Sequence, residues 1–333
     1  MHYSFPGDPA LKVGDLACTY TYPCAQNGAS MTDQVGLLSE SWNEHAQEWI
    51  DWVRAPDRQD SYWRFHRDRF LALIPPLKRD QLIVDIGCGE GRVARDLQLL
   101  ERRVLGVDLS PTMCQAAAGH DQPALVLQAD AAVLPLADNS VDCAIAFMSL
   151  QDIDNMPGAV REIARVLKDG ASLAMAIVHP MYSSGKFSAP EKNDGDNLFI
   201  VKRTYFQPER LVSTDSHGSL KVTLFREHRP LQSYLNALTK AGLHVEEVLE
   251  LSDEDEARHR DGIPMFLDIV ATRPSRPSQG NVVTVVQPVE QPGTTRIKMP
   301  ASWPNFISFL ASSAVTVLSA WWANLSTSRR NSL

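Results

Sequence analysis

The chain predicts an α/β fold, a doubly wound and mostly parallel sheet with helices on both faces. Three observations carry this. From Gln81 onward, short apolar runs alternate with helix-like segments, the pattern of strands buried on both faces. The first of these runs, Leu82–Ile86, turns through Gly87, Gly89 and Gly91 into a helical segment, a strand–loop–helix unit that presents backbone N–H groups to a ligand. Finally, 333 residues that are 44% hydrophobic and 22% charged suffice for one large soluble domain with additions, or two smaller ones.

In chain order, residues 1–38 form an N-terminal extension without the apolar run of a secretory signal, composed like a poorly ordered segment. Residues 39–53 predict one helix, with Trp42, His45, Trp49 and Trp52 on a single face. That stripe is either core packing or the aromatic cover of a pocket. A second helix over 60–73 ends at Pro75-Pro76. The sheet then follows, with strands at 82–86, 103–107 closing in Asp108, 124–128 before Asp130, 141–147, and 172–178 closing in His179. Helices at 93–100, 112–118 and 156–167 connect them by right-handed crossovers, the last stopped by Gly170.

After His179 the rhythm breaks. Residues 180–228 form an insertion in which 199–205 and 220–225 predict a β-hairpin over the sheet's edge. A helix over 230–241 starts near Pro230 and stops at Gly242. Strands at 243–251 and 265–272 have a short connection, which favours antiparallel pairing. The domain is thus 39–272. Residues 273–304, punctuated by prolines, predict a flexible linker. The tail 305–333 has two readings. Its apolar stretch 306–325, with Trp303, Trp321 and Trp322 at the ends and Arg329-Arg330 beyond, suits a membrane anchor. Its Ser, Thr and Asn residues suit a surface-docked or disordered tail.

The formal net charge of −8 argues against nucleic-acid binding through a basic surface. The 5 cysteines have neither disulfide nor metal-ligand spacing, which predicts reduced thiols in a cytosolic protein and no metal site. The chemistry therefore centres on the glycine loop. A dinucleotide loop wants G-x-G-x-x-G, but here the third glycine comes one residue early. Asp85 lies directly before the loop, where it would repel a pyrophosphate and favour a ligand with a cationic amino-acid end. Asp108 is placed to accept both hydroxyls of a ribose, with Ser110 the better helix cap. Asp130 can reach an adenine amino group, or serve as a turn residue.

These motifs come in order: Asp85-Ile86-Gly87-Cys88-Gly89-Glu90-Gly91, Val107-Asp108-Leu109-Ser110, Asp130-Ala131 with Leu134-Pro135-Leu136, Ser140-Val141-Asp142, and Glu162 to Gly170. Together they resemble the class I S-adenosylmethionine-dependent methyltransferase family, over about 39–272 and most densely over 82–178. The resemblance implies a Rossmann-like seven-stranded sheet with an antiparallel last strand, an N-terminal helical cap and a hairpin insertion. It implies that Gly87, Cys88, Gly89 and Gly91, with Asp85, wrap the cofactor's methionine part, and that Asp108 holds the ribose. Leu109 and Met113 would flank the adenine, Asp130 and Ala131 would hold its edge, and Phe147 and Met148 would lie beside the methyl group.

Methyl transfer needs alignment, desolvation and, for O–H or N–H acceptors, a proton acceptor. The family often carries a histidine shortly after strand four, where Gln151 and Asp152 stand here. His179 is the candidate base, with a structural role beside Pro180 as the alternative. Trp49, Tyr62, Gln151, Tyr205, His228, Arg229 and Tyr234 are candidates for an acceptor pocket roofed by the aromatic helix and the insertion. Such a roof suits a small molecule. The expected function is small-molecule methylation. A nicotinamide-dependent oxidoreductase and a non-catalytic cofactor-binding protein are the alternatives.

Overall fold

The computed structural model describes residues 37–56, 60–187, 199–201, 205–252 and 262–275. The expectations for 1–36 and for the tail 305–333 lie outside the described residues.

Helix α1 (Leu38–Glu44) and helix α2 (Ala46–Val53) replace the single predicted helix. The break is at His45, whose φ of −103° and ψ of 14° leave the helical well. The aromatic stripe survives it, with Trp42 and Trp49 edge to face at 5.8 Å. Leu38 is fully buried, so the domain starts earlier than predicted. A π-helical turn, Tyr62–His66, opens the second predicted helix and only Arg67–Ala72 (α3) is α-helical. Both ends of that turn are anchored: the Tyr62 hydroxyl donates to Asp96 Oδ2 (2.7 Å) and His66 Nε2 donates to Asp268 Oδ1 (2.9 Å).

The sheet is built from β1 (Leu82–Ile86), β2 (Arg103–Asp108), β3 (Val126–Gln128), β4 (Val141–Phe147) and β5 (Leu167–Val178). Helices α4 (Arg92–Leu99), α5 (Pro111–Ala118) and α6 (Met156–Val166) connect them. Beyond β5 come α7 (Pro180–Ser183), β6 (Gly185–Phe187), β7 (Phe199–Val201), β8 (Glu209–His217), β9 (Leu220–His228), α8 (Leu231–Lys240), β10 (His244–Leu251) and β11 (Phe266–Thr272). The order of the main sheet is β10-β11-β5-β4-β1-β2-β3. Strand β11 runs antiparallel to both β10 and β5, and β5, β4, β1, β2 and β3 are parallel. Val84 and Ile86 of β1 join Ile163 of α6 and Leu238 of α8 in the core on one face. Ile83 joins Val93 and Leu97 of α4 and Phe70 of α3 on the other.

Several predicted boundaries change, among them the start of β5, which is Leu167 and not 172. Strand three begins at Val126, two residues later than predicted. Gly170 does not stop α6. It sits inside β5 with φ +81°, and its N–H donates to Arg273 O (2.8 Å). Arg273, directly after β11, is therefore tied to β5 by its backbone, and its guanidinium also donates to the carbonyls of Ala164, Arg165 and Leu167 at the end of α6. The hairpin pairs β8 with β9, from Glu209↔His228 to His217↔Leu220, whereas the predicted partner 199–201 pairs with β6. The hairpin also packs against α1, α2 and the 3-10 turn Leu150–Asp152.

Candidate functional site

Parallel strands put the ends of β1, β2, β3 and β4 on one edge, where the predicted cofactor residues meet. Gly87, Gly89 and Gly91 all have positive φ (+66°, +57° and +85°). Gly87 has a second constraint: a Cβ there would stand 2.5 Å from the Ser149 Cβ, so the ends of β1 and β4 touch only because position 87 is glycine. The N–H groups of Gly87 and Cys88 donate to Val107 O (2.8 and 3.0 Å), folding the loop against β2. The loop's base is clamped by Glu90, which accepts from Arg95 (2.5 Å) and Arg54 (3.0 Å) while itself buried.

Asp108 accepts from Gly89 N–H through Oδ2 (2.8 Å) and from Ser110 N–H through Oδ1 (2.9 Å). It thus ties the glycine loop to the start of α5, where Ser110 is the cap. Burial raises its pKa and these backbone donors oppose the rise. Leu109 beside it is 42% exposed, an apolar side chain left open at the edge. Asp130 accepts from Ala132 N–H through Oδ1 (2.8 Å), a local turn just past β3, with Ala131 buried next to it. Met113, on α5, packs against Ala46 and Ile50 of α2.

Asp85 is 1% exposed and, among the described residues, its Oδ2 has no hydrogen-bond partner. Burial first, then the Asp108 charge, push its pKa up to about 7, and Arg92 pulls the other way. Arg92 was not singled out from sequence. It pairs with Asp60 Oδ1 (2.7 Å) and lies over the rings of Trp49 (5.1 Å), Tyr62 (4.9 Å) and Phe147 (5.7 Å). Trp49 is the pocket candidate found at the glycine loop, its Nε1 being 3.6 Å from where a Cβ on Gly89 would lie. At the end of β4, Met148 has φ +54°, a strained non-glycine position next to Ser149, whose hydroxyl donates to Ile86 O (2.5 Å).

The remaining candidates are built into supports. The Tyr62 hydroxyl is committed to Asp96 in the core. His179 Nδ1 accepts from Met181 N–H (3.0 Å), so Nε2 donates to Glu250 Oε1 (2.8 Å) on β10. Both ring nitrogens are engaged and the ring is 5% exposed, which places His179 as the cap of α7 rather than as a free base. Its pKa is lowered by burial, against the pull of Glu250. Gln151 Oε1 accepts from Val178 N–H (2.6 Å). Arg229 donates to the carbonyls of Leu150 (3.3 Å), Gln151 (3.2 Å) and Ile153 (2.8 Å), and to Glu227. His228 Nε2 donates to Tyr205 O (2.9 Å) and its Nδ1 accepts from the Ser183 hydroxyl (2.7 Å). The Tyr205 hydroxyl accepts from Leu231 N–H (3.1 Å), and Tyr234 is buried with its pKa pushed up to about 12 by desolvation. These five residues brace the loop after β4 and the base of the hairpin.

Above the loop, Trp42 Nε1 donates to Phe225 O (3.0 Å), and the rings of Trp42 and Phe225 meet at 6.1 Å. The cap and the hairpin thus form one aromatic roof. Asp154 completes it by accepting from Leu38 N–H (3.0 Å), Ser39 N–H (3.1 Å) and Arg210 (2.9 Å).

Residues 84–175 match the model of a family described as "Methyltransferase domain". A malonyl-[acyl-carrier protein] O-methyltransferase of Pectobacterium atrosepticum is 30% identical over 161 residues, which is 48% of this chain and 63% of the relative. A demethylmenaquinone methyltransferase of Corynebacterium urealyticum is 32% identical over 118 residues, 35% of this chain and 49% of the relative. The matched stretch thus spans less than two thirds of either relative. A solved Listeria monocytogenes structure, provisionally assigned as an S-adenosylmethionine-dependent methyltransferase, shares the fold at 22% identity and TM-score 0.50, over 62% of this chain and 96% of that one.

Proposed function

We propose that this chain, whose residues 84–175 form a class I S-adenosylmethionine-dependent methyltransferase domain, transfers a methyl group from that cofactor to a small-molecule acceptor. One observation carries the reading: the buried Asp85 oxygen beside the glycine loop lacks a partner among the described residues. A buried carboxylate oxygen without a hydrogen-bond donor is costly, and the ammonium end of S-adenosylmethionine would supply both a donor and a charge. A pyrophosphate at the same place would add repulsion to a carboxylate already strained by Asp108. The donor set fits the rest of the cofactor too, with Asp108 for the ribose hydroxyls and Leu109 and Asp130 for the adenine.

When bound, S-adenosylmethionine supplies an electrophilic methyl group with its leaving group attached. The chain's own residues then bind, orient and exclude water. Gly87 lets the β4 end approach the loop, and Ser149 fixes that approach through Ile86 O. Arg229 holds the loop after β4 by its carbonyls, and the Trp42–Phe225 contact closes the roof. That roof supports a small acceptor over a protein or nucleic acid. The quinone named for the Corynebacterium relative supports the same class.

Incubation of the purified chain with radiolabelled S-adenosylmethionine and a fractionated metabolite extract tests this. Label in a small molecule is expected, identified by mass spectrometry. Label confined to protein or nucleic acid, or no transfer, would count against it.

A further inference from the structure

We infer that Asp152 is the proton acceptor in the transfer, and that the methyl acceptor is a small O–H or N–H nucleophile rather than a carboxylate. The inference rests on the methyltransferase reading and narrows it.

Asp152 ends the 3-10 turn Leu150–Asp152 that follows β4, and its N–H donates to Ser149 O (2.8 Å). Ser149 is the residue in contact with Gly87, so the turn abuts the cofactor loop. Everything around Asp152 is already satisfied. The carbonyls of Leu150, Gln151 and Ile153 accept from Arg229, the Gln151 side chain binds β5, and Asp154 binds α1 and Arg210. Asp152 alone in this turn has a side chain without a hydrogen bond among the described residues: Oδ1 is sealed and unpartnered. The residue as a whole is half-buried, and Oδ2 is not among the sealed, unpartnered atoms.

The surroundings suit a base. Burial pushes the Asp152 pKa well above the usual carboxylate range, and Arg226 and Arg229 oppose that shift. Arg229 spends its donors on carbonyls and Glu227, so its charge is partly compensated. Arg226, from β9, is itself desolvated, and Tyr234 on α8 feels the Asp152 charge. A hydroxyl or amine can donate its proton to Oδ2, whereas a carboxylate acceptor has no proton to give and gains nothing from a base. In the transfer, the acceptor's bond to the methyl carbon forms as the sulfur–carbon bond breaks. The breaking pair stays on sulfur, and the acceptor's proton passes to Asp152 Oδ2 and from there to water. His179, with both nitrogens engaged, leaves this role to Asp152.

The test uses the full chain and Asp152→Asn, with Asp152→Glu as the conservative variant. Carbon-13 titration of the aspartate carboxyls, without cofactor, is expected to show, beside the raised signals of Asp85 and Asp108, a further signal titrating above the usual range that disappears in D152N. S-adenosylmethionine affinity by calorimetry is expected to stay within about twofold in D152N. Formation of S-adenosylhomocysteine is then followed with a fixed panel of phenols, alcohols, primary amines and carboxylates. Turnover is expected with hydroxyl or amine members. In D152N it falls at least ~100-fold and loses its acid pH limb, and D152E recovers part of it. Turnover in D152N within about threefold of the parent, preference for carboxylates, absence of the raised titration, or cofactor binding without methylation of any panel member would overturn the inference. Failure of the parent chain to bind S-adenosylmethionine would instead overturn the methyltransferase reading, and this inference with it.

Discussion

Asp85 concentrates the chemistry of this site in one carboxyl group. Its folded pKa, about 7, lies above the unfolded value, which is about 4. Between these values the folded state holds the extra proton, so the cofactor-free protein loses stability as pH rises through that window. The same ionisation prepares the group for an ammonium partner. Affinity for S-adenosylmethionine is therefore expected to increase from pH 6 to pH 8 in the parent chain and to be weak and flat in Asp85→Asn. That variant should gain on the order of 1–3 kcal/mol in urea denaturation at pH 8, and equal or lower stability would remove the charge strain assigned here. Gly87→Ala tests the loop from another side. Positive φ alone costs a residue with a Cβ about 1–2 kcal/mol, and the new Cβ meets Ser149. Cofactor affinity should fall more than tenfold by calorimetry with secondary structure retained by circular dichroism. Unchanged affinity would mean that the β1–β4 approach is not needed for binding.

At the level of elements, much of the sheet was legible in the sequence. β1 and β4 have the predicted bounds, because continuous apolar runs such as Leu82–Ile86 and Val141–Phe147 mark strands buried on both sides. The placement of the three acids proposed for the cofactor was legible for a related reason: Asp85, Asp108 and Asp130 punctuate strand ends that all reach one edge. Of the hairpin, the second strand is legible and the first is not: β8, Glu209–His217, is polar and largely exposed, so periodicity gives no signal there and the more apolar 199–205 predicts the strand in its place. Gly170 misled for another reason, since a glycine after a helix marks a stop unless a distant strand, here through Arg273 O, takes its N–H. Arg229 and His228 had pocket-like side chains in sequence, but their partners are backbone carbonyls and a hydroxyl far along the chain. Arg229→Gln is expected to destabilise the domain by on the order of 3 kcal/mol in urea denaturation, because it strips several carbonyls and Glu227 of their donor. A change below about 0.5 kcal/mol would show that the loop after β4 is held by other means.

For the molecule as a whole, the described residues contain the complete seven-stranded sheet, the glycine loop, the aromatic roof and Asp152. Among them, no helix is long and apolar enough to cross a membrane. Removal of Ser278–Leu333 is therefore expected to leave cofactor affinity in solution within about twofold of the full chain. A folded but non-binding truncation would assign those residues to the site. The central claim is that the glycine loop, Asp85 and Asp108 form a sulfonium-cofactor site rather than a pyrophosphate site. The most direct measurement is calorimetric titration of the full chain with S-adenosylmethionine and, separately, with NADH, repeated on Asp108→Ala. Charged hydrogen bonds contribute roughly 1.5–3 kcal/mol each, so S-adenosylmethionine should bind the parent and lose at least tenfold in the variant, with no NADH binding to either. NADH binding with no response to S-adenosylmethionine, or S-adenosylmethionine binding indifferent to the loss of Asp108, would contradict the account.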